Sequence, residues 1–303
     1  MALTAAPTVT ALRSPWILAA RPRTLSLSMA PVAVGAALAW AAEHKVAWPA
    51  AIVALIGSLL IQIATNLHND AADARRGGDG DGRVGPLRAT AAGLLNGDAV
   101  KRGAFLCFAL AAVAGIYLVA VGGWPILLLG LASIASGWAY TGGPRPIAYS
   151  PLGEIFVIAF FGIGAVGGTF WLCTLHLSAA AFYGGLACGF FAAAVLLVNN
   201  HRDLETDARA GRLTLPMIIG LRATYWLYGV FMLLPFALLP LLARELPHGE
   251  VWPALLALAP VVPLIVRFAR EPHGSGFNAI LARTAQVQLL FALLLCGGLI
   301  LLP

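Results

Sequence analysis

Nine stretches of mostly apolar residues, each close to the length of a bilayer-crossing helix, limit this chain more than any other feature. They lie near 25–42, 49–67, 103–121, 124–141, 152–173, 179–199, 223–243, 252–269 and 284–302. A hydrocarbon core about 30 Å thick takes about 20 such residues per helix, and within it a helix satisfies its own backbone groups. The sequence therefore predicts an all-α, polytopic membrane protein. Nine transmembrane helices would form a bundle around a central cavity, with two long loops as a cytoplasmic cap. Only 11% of the 303 residues are charged and 60% are hydrophobic, where a soluble domain carries about 25% charged residues.

The net charge of +6 does not point to nucleic acid, and none is expected as a partner. The basic residues alternate across the spans. Of 19 Lys and Arg, 17 fall on one side, and only Lys45 and Arg244 on the other. Basic loops stay in the cytoplasm, which puts the N-terminus inside and the C-terminus outside. The expected location is the inner (cytoplasmic) membrane, with the active site facing the cytoplasm and the lipid bilayer as a partner. The start of the chain lacks the basic region of a cleaved signal peptide. Trp40, Trp48, Trp124, Trp171 and Trp252 fall near span ends, as an interfacial aromatic belt requires. Cys107, Cys173, Cys188 and Cys296 sit in apolar runs and read as small buried hydrophobes. One domain over 1–303 accounts for the whole pattern.

The carboxylates gather on the same cytoplasmic side. Five of 13 Asp and Glu lie in 70–98 and three in 203–207. The connections that hold them, 68–102 and 200–222, are longer than the others, and long polar loops beside tightly connected helices are where function concentrates. Asn66-x-x-x-Asp70 ends the second span and Asn199-x-x-x-Asp203 ends the sixth. Each is followed by a further Asp, Asp73 and Asp207, so the two read as a weak four-helix repeat. On a helix, residues three and four apart share a face, which aligns Asn66, Asp70 and Asp73, and likewise Asn199, Asp203 and Asp207. Four carboxylates at one mouth call for counter-charge. Mg²⁺ relieves it through one or two carboxylates, waters and phosphate oxygens. Arg75, Arg83, Arg88, Arg202 and Arg212 flank the acids, and guanidinium forks match phosphate oxygens. The combination predicts a diphosphate head at the mouth and a hydrocarbon tail in the bundle. Arg76, Lys101, Arg102, Arg209 and Arg222 read as topology signals, His68 and His201 as bystanders, and Asp98 and Glu205 as solvated.

Four stretches resemble the UbiA superfamily of intramembrane aromatic prenyltransferases over nearly the whole chain. They are Ala20-Arg-Pro-Arg-Thr24, Asn69-Asp-x-x-Asp73 running to Gly85-Pro-Leu-Arg88, Tyr140-Thr-Gly-Gly-Pro-Arg145, and Asn199-Asn-x-Arg202-Asp203-Leu-Glu-x-Asp207-x-x-x-Gly211-Arg212. Two positions depart from the usual pattern: Ala71, where a Tyr is common, and His201, where an apolar residue is usual. The resemblance is nearest to the branch acting on 1,4-dihydroxy-2-naphthoate. It implies Mg-dependent transfer of a polyprenyl group from polyprenyl diphosphate to that aromatic acceptor, with decarboxylation, giving demethylmenaquinone. A 4-hydroxybenzoate acceptor is the alternative, and a transporter a distant one. It implies Mg²⁺ and diphosphate binding by Asn66, Asp70, Asp73, Asp203 and Asp207. Arg23, Arg83, Arg88, Arg145, Asn199, Arg202 and Arg212 would hold substrate, and Tyr140 would lie near the allylic carbon.

Overall fold

The computed structural model describes residues 14–76 and 84–302. Among these the chain is helical, with no strand. A short helix α1 (Pro15–Ala20) precedes α2 (Ser26–Glu43), α3 (Trp48–Arg75), α4 (Gly97–Gly122) and α5 (Trp124–Ala139). Then follow α6 (Gly153–Thr174), α7 (Ala179–Arg202), the short α8 (Leu204–Arg209), α9 (Leu215–Arg244), α10 (Trp252–Arg270) and α11 (Gly276–Leu301). Among the described residues, eight helices are long and apolar enough to cross a bilayer. The run near 124–141 becomes α5, a shorter apolar helix of 16 residues. The chain is a multi-pass membrane protein.

Three of these helices, α3, α5 and α10, open on the same pair: Trp48-Pro49, Trp124-Pro125 and Trp252-Pro253. Proline costs nothing in the first turn, where its missing N–H has no partner to lose, and its φ is already helical. The Trp rings are 60%, 72% and 46% exposed. Amphipathic rings of this kind sit at the headgroup level. The helices therefore begin at an interfacial mark written in the sequence. At the other end, α3 outruns its apolar stretch by two turns, so Asp70 and Asp73 lie within it. Asn96 caps α4 by accepting from Asp98 N at 2.8 Å and Ala99 N at 3.3 Å.

Helix α7 is the central element, with 72% of its apolar window buried. It packs against α2, α6, α9 and α11. Its contact with α6 is made by glycines. The middle of α6, Ile158–Gly164, is a π-helical stretch, and there Gly162 meets Gly185 and Gly189 of α7. A methyl on Gly162 would strike the Gly185 carbonyl oxygen, and one on Gly185 would lie 2.9 Å from the Cα of Ile163. Small residues let membrane helices approach at backbone distance, where dispersion replaces the missing hydrophobic drive. Between α2, α3, α5, α6 and α7 lies a cavity of about 1310 Å³. Its deeper wall is apolar, with Phe160, Phe161, Leu129 and Leu172 among the lining residues.

Candidate active site

The mouth of the cavity is polar. Asn66, Asn69, Asp73, Arg88, Tyr140, Asn199, Arg202 and Arg212 line it, as do Arg21, Arg23, Asn200 and Asn278. Helix α3 delivers Asn66, Asn69 and Asp73 on one face, as i, i+3 and i+7 spacing requires. Asn66 Nδ2 donates to Ala20 O at 2.9 Å and Thr24 Oγ1 at 3.1 Å. Both donors are thus held by the segment before α2, leaving Oδ1 as the group Asn66 can offer. Thr141 Oγ1 donates to Asn69 Oδ1 at 2.7 Å, so it accepts from His68 Nδ1, 3.1 Å away. That chain ties α3 to the end of α5 and gives His68 a structural partner.

The two acidic motifs meet at one guanidinium. Arg212 Nη2 donates to Asp73 Oδ1, and Arg212 Nη1 to Asp207 Oδ1 at 3.2 Å. Arg88 Nη2 adds a bond to Asp73 Oδ2 at 2.8 Å. Buried charges persist only when paired and hydrogen-bonded, and Asp73 is 2% exposed. Arg212 arrives there because Gly211, at φ 73°, turns the chain sharply after α8. The Arg212 amide then bonds back to Asp207 O at 2.9 Å. Left-handed φ of this kind is easy only for glycine. Burial opposes the charge on Arg212, but the Asp73 and Asp207 carboxylates together outweigh it and hold its pKa above the usual arginine range. The Tyr149 ring lies 5.1 Å below both Arg212 and Arg76, within cation–π reach.

The other two motif carboxylates face local partners. Asp70 Oδ2 accepts from Thr90 N at 2.9 Å and Thr90 Oγ1 at 2.6 Å. Asp203 is gripped by Arg202, through Nε at 2.8 Å and Nη2 at 2.6 Å. Arg202 Nη2 also donates to Asn199 Oδ1 at 2.8 Å, and Nη1 to Asn278 Oδ1 at 3.0 Å. The second motif is not one continuous helix face. Helix α7 ends at Arg202, Asp203 occupies the break at φ −96°, ψ 13°, and Asp207 belongs to α8. One turn is kept across the break by Asp207 N donating to Asp203 O at 2.8 Å.

Of the five residues read as Mg²⁺ ligands, Asn66 and Asp73 line the cavity, while Asp70, Asp203 and Asp207 are outside its lining. Among the described residues, no three His, Cys, Asp or Glu side chains gather as a metal cluster; arginines stand between the carboxylates instead. The donor set still fits Mg²⁺ bound through one or two carboxylates, waters and phosphate oxygens. Asp73 and Asp207 bind the two terminal nitrogens of one guanidinium, so both carboxylates already face a single shared positive charge. Arg23 is exposed yet lines the cavity, and Arg145 is exposed and outside the lining. Arg83 lies outside the described residues. Spacing alone missed Thr90, Tyr149 and Asn278, whose neighbours in sequence carry no signal, and gave no role to Arg21 and Asn200 although both lie inside the motif stretches. Arg76 is more than a topology marker: it donates to Thr141 O at 2.8 Å.

Fold and site together define a helical membrane protein whose charged mouth opens into an apolar chamber. The family model described as the UbiA prenyltransferase family matches residues 28–285, and the chain belongs to that family. The chain is 35% identical over 290 residues to a 1,4-dihydroxy-2-naphthoate octaprenyltransferase of Mycobacterium tuberculosis, covering 94% of this chain and 96% of that one. It is also 35% identical over 296 residues to the Escherichia coli protein of that name, covering 94% and 95%. A solved UbiA homologue from Archaeoglobus fulgidus bound to DMAPP and Mg²⁺ shares the fold. Its TM-score is 0.70 at 17% identity, covering 96% of this chain and all of that one. The chain is an aromatic prenyltransferase.

Proposed function

We propose that the enzyme transfers a polyprenyl group from polyprenyl diphosphate to 1,4-dihydroxy-2-naphthoate, with loss of CO₂ and diphosphate, giving the demethylmenaquinone skeleton. The observation that carries this reading is the Arg212 bridge between Asp73 and Asp207, at the mouth of a cavity whose depth is apolar. The acceptor rests on the relatives' names and on the Gly85-Pro-Leu-Arg88 stretch. One domain would span the bilayer nine times, with α5 as the short ninth span. Residues 68–102 and 200–222 would cap the central cavity on the cytoplasmic face, with the N-terminal end inside and the C-terminal end outside.

Arg88, Arg202 and Arg212 would take the phosphate oxygens as charge-assisted forks, with Arg23 and Asn199 at the rim. Asn66, Asp73 and Asp207 would hold Mg²⁺. Asp70 and Asp203 would join them by exchanging their bonds to Thr90 and Arg202. When bound, Mg²⁺ supplies positive charge that stabilises the leaving diphosphate. The guanidiniums do the same from fixed positions as the allylic C–O bond ionises, the kind of electrostatic aid that dominates such steps. Tyr140 would present its ring to the allylic cation. The electron-rich ring carbon of the acceptor then bonds to that carbon, and the carboxyl at that position leaves as CO₂. The apolar wall keeps water from the cation.

Membranes carrying the protein, given a polyprenyl diphosphate, Mg²⁺ and dihydroxynaphthoate, are expected to release diphosphate and form the prenylated product. Turnover of 4-hydroxybenzoate in place of the naphthoate would move the acceptor. Full activity in Asp207→Asn would overturn the metal assignment. Uptake into vesicles without chemistry would overturn the enzyme reading.

A further inference from the structure

A second polar zone meets the cavity away from the diphosphate site. Glu154, in the first turn of α6, is 2% exposed. Its Oε1 accepts from Asn200 Nδ2 at 2.9 Å, and its Oε2 has no hydrogen-bond partner among the described residues. A buried carboxylate this poorly satisfied is costly in a membrane span and calls for a reason. Glu154 itself does not line the cavity, but Asn200, Gly153 and Ser150 do. The two zones are close: Tyr140 lies within electrostatic reach of Glu154 on one hand and of Arg212, Asp207 and Asp73 on the other.

We propose that Asn200 receives a hydroxyl of the aromatic acceptor, and that Glu154 is the positioning residue that turns the Asn200 amide for it. An amide side chain can present either its oxygen or its nitrogen to a ligand. Glu154 removes the choice, because the Asn200 Nδ2 is bound to its carboxylate and Oδ1 is turned the other way. A carbonyl oxygen facing the cavity accepts from a phenolic O–H and has nothing to offer a hydrocarbon tail. The carboxyl oxygen that accepts from Nδ2 polarises the amide and makes Oδ1 the better acceptor. A hydroxyl held in that bond keeps more electron density on its oxygen and so on the ring carbon that must attack. Asn199, one residue earlier, is tied to Arg202 of the diphosphate zone. Successive residues of α7 thus serve the two substrates, about 100° apart around the helix.

This assignment rests on the aromatic-acceptor reading above, and steady-state kinetics of the full-length protein in membranes separates the two. The acceptor used is whichever of dihydroxynaphthoate and 4-hydroxybenzoate the wild type turns over. Glu154→Ala is expected to raise the KM for that acceptor about tenfold, the worth of one buried hydrogen bond. The KM for polyprenyl diphosphate should stay within about twofold. Glu154→Gln, whose amide oxygen accepts the same bond from Asn200, should stay close to wild type. Asn200→Leu should match or exceed Glu154→Ala, and the double variant should add nothing to Asn200→Leu. Equal rises in both KM values, a fall in kcat alone, or Glu154→Gln as impaired as Glu154→Ala would overturn the proposal. Where Glu154→Ala does not reach the membrane folded, Asn200→Leu and Glu154→Gln decide it. Failure of dihydroxynaphthoate as a substrate overturns the acceptor reading alone.

Discussion

The two acidic motifs share their spacing but not their backbone. The first lies wholly within α3, and the second is split by the break at Asp203. In both, the earlier carboxylate turns to a local partner, Thr90 for Asp70 and Arg202 for Asp203. In both, the later one meets Arg212, Asp207 from within the same segment and Asp73 from the other half of the chain. The same arrangement is therefore reached by a straight helix on one side and a broken one on the other. What the spacing specifies is a pair of roles: an outer carboxylate that joins the halves and an inner one that organises its own segment. The broken side also needs Gly211, because Arg212 must come back to meet the acid that precedes it.

That division of roles can be broken by substitution. Asp73→Asn should have the largest effect, because it strips a partner from both Arg88 and Arg212. Activity is expected to fall by about 10³-fold or more, with yield of folded protein reduced as Arg88 and Arg212 each lose a charged partner. If Asp70→Asn proved as damaging to folding as Asp73→Asn, the outer and inner roles would not be distinct. Arg212→Lys comes next: one ammonium cannot serve two carboxylates as a planar fork does. A loss of about 10- to 100-fold in kcat/KM is expected, and a smaller loss would mean the bridge is not what joins the motifs. Thr90→Val should be milder, costing about 1–2 kcal/mol of stability as Asp70 loses the hydroxyl but keeps the backbone N–H. Thermal unfolding in detergent reads this directly.

The smallest effect lies on the opposite face, away from both motifs, and serves as the contrast. His176 Nε2 lies 2.6 Å from Glu43 Oε1. A bond to the Leu177 carbonyl, first, and the Glu43 carboxylate, second, raise its pKa above the ordinary histidine value. The charged form is favoured in the folded protein, so its contribution is complete below about pH 6.5 and fades as pH rises through the raised value. The pair is largely exposed, so raising pH from 6 to 9 should lower Tm by only about 1–2 °C. Glu43→Gln should flatten that dependence without changing turnover.

Much of the fold was legible because membrane helices are long apolar runs and their ends carry Trp-Pro pairs. Helix α5 shows the limit, since its 16 residues are fewer than the other apolar helices hold and its apolar run alone did not reveal that. The acidic motifs were legible because two repeated patterns rarely coincide. Their partners were not. Arg212 and Asp73 are 139 residues apart and Arg202 and Asn278 are 76 apart, and nothing local to Asn278 or Thr90 marks them. Arg145 shares a Pro-rich stretch with Tyr140, but the turn after Thr141 leaves it exposed and outside the cavity lining, a separation its place in the motif did not reveal. The break at Asp203 was invisible to an argument from helix faces, because the i+4 spacing of Asp207 survives it.

The glycine seam between α6 and α7 bears on how a mutational map of this enzyme should be interpreted. Substitutions at Gly162, Gly185 and Gly189 will score among the most damaging in any activity screen, although none of the three residues has a side chain to offer a substrate. Loss of function there reports steric exclusion between two backbones. In a survey of relatives the same positions would stand out as invariant for that reason alone. Measuring how much protein reaches the membrane alongside activity separates such scaffold positions from the chemical ones a few residues away.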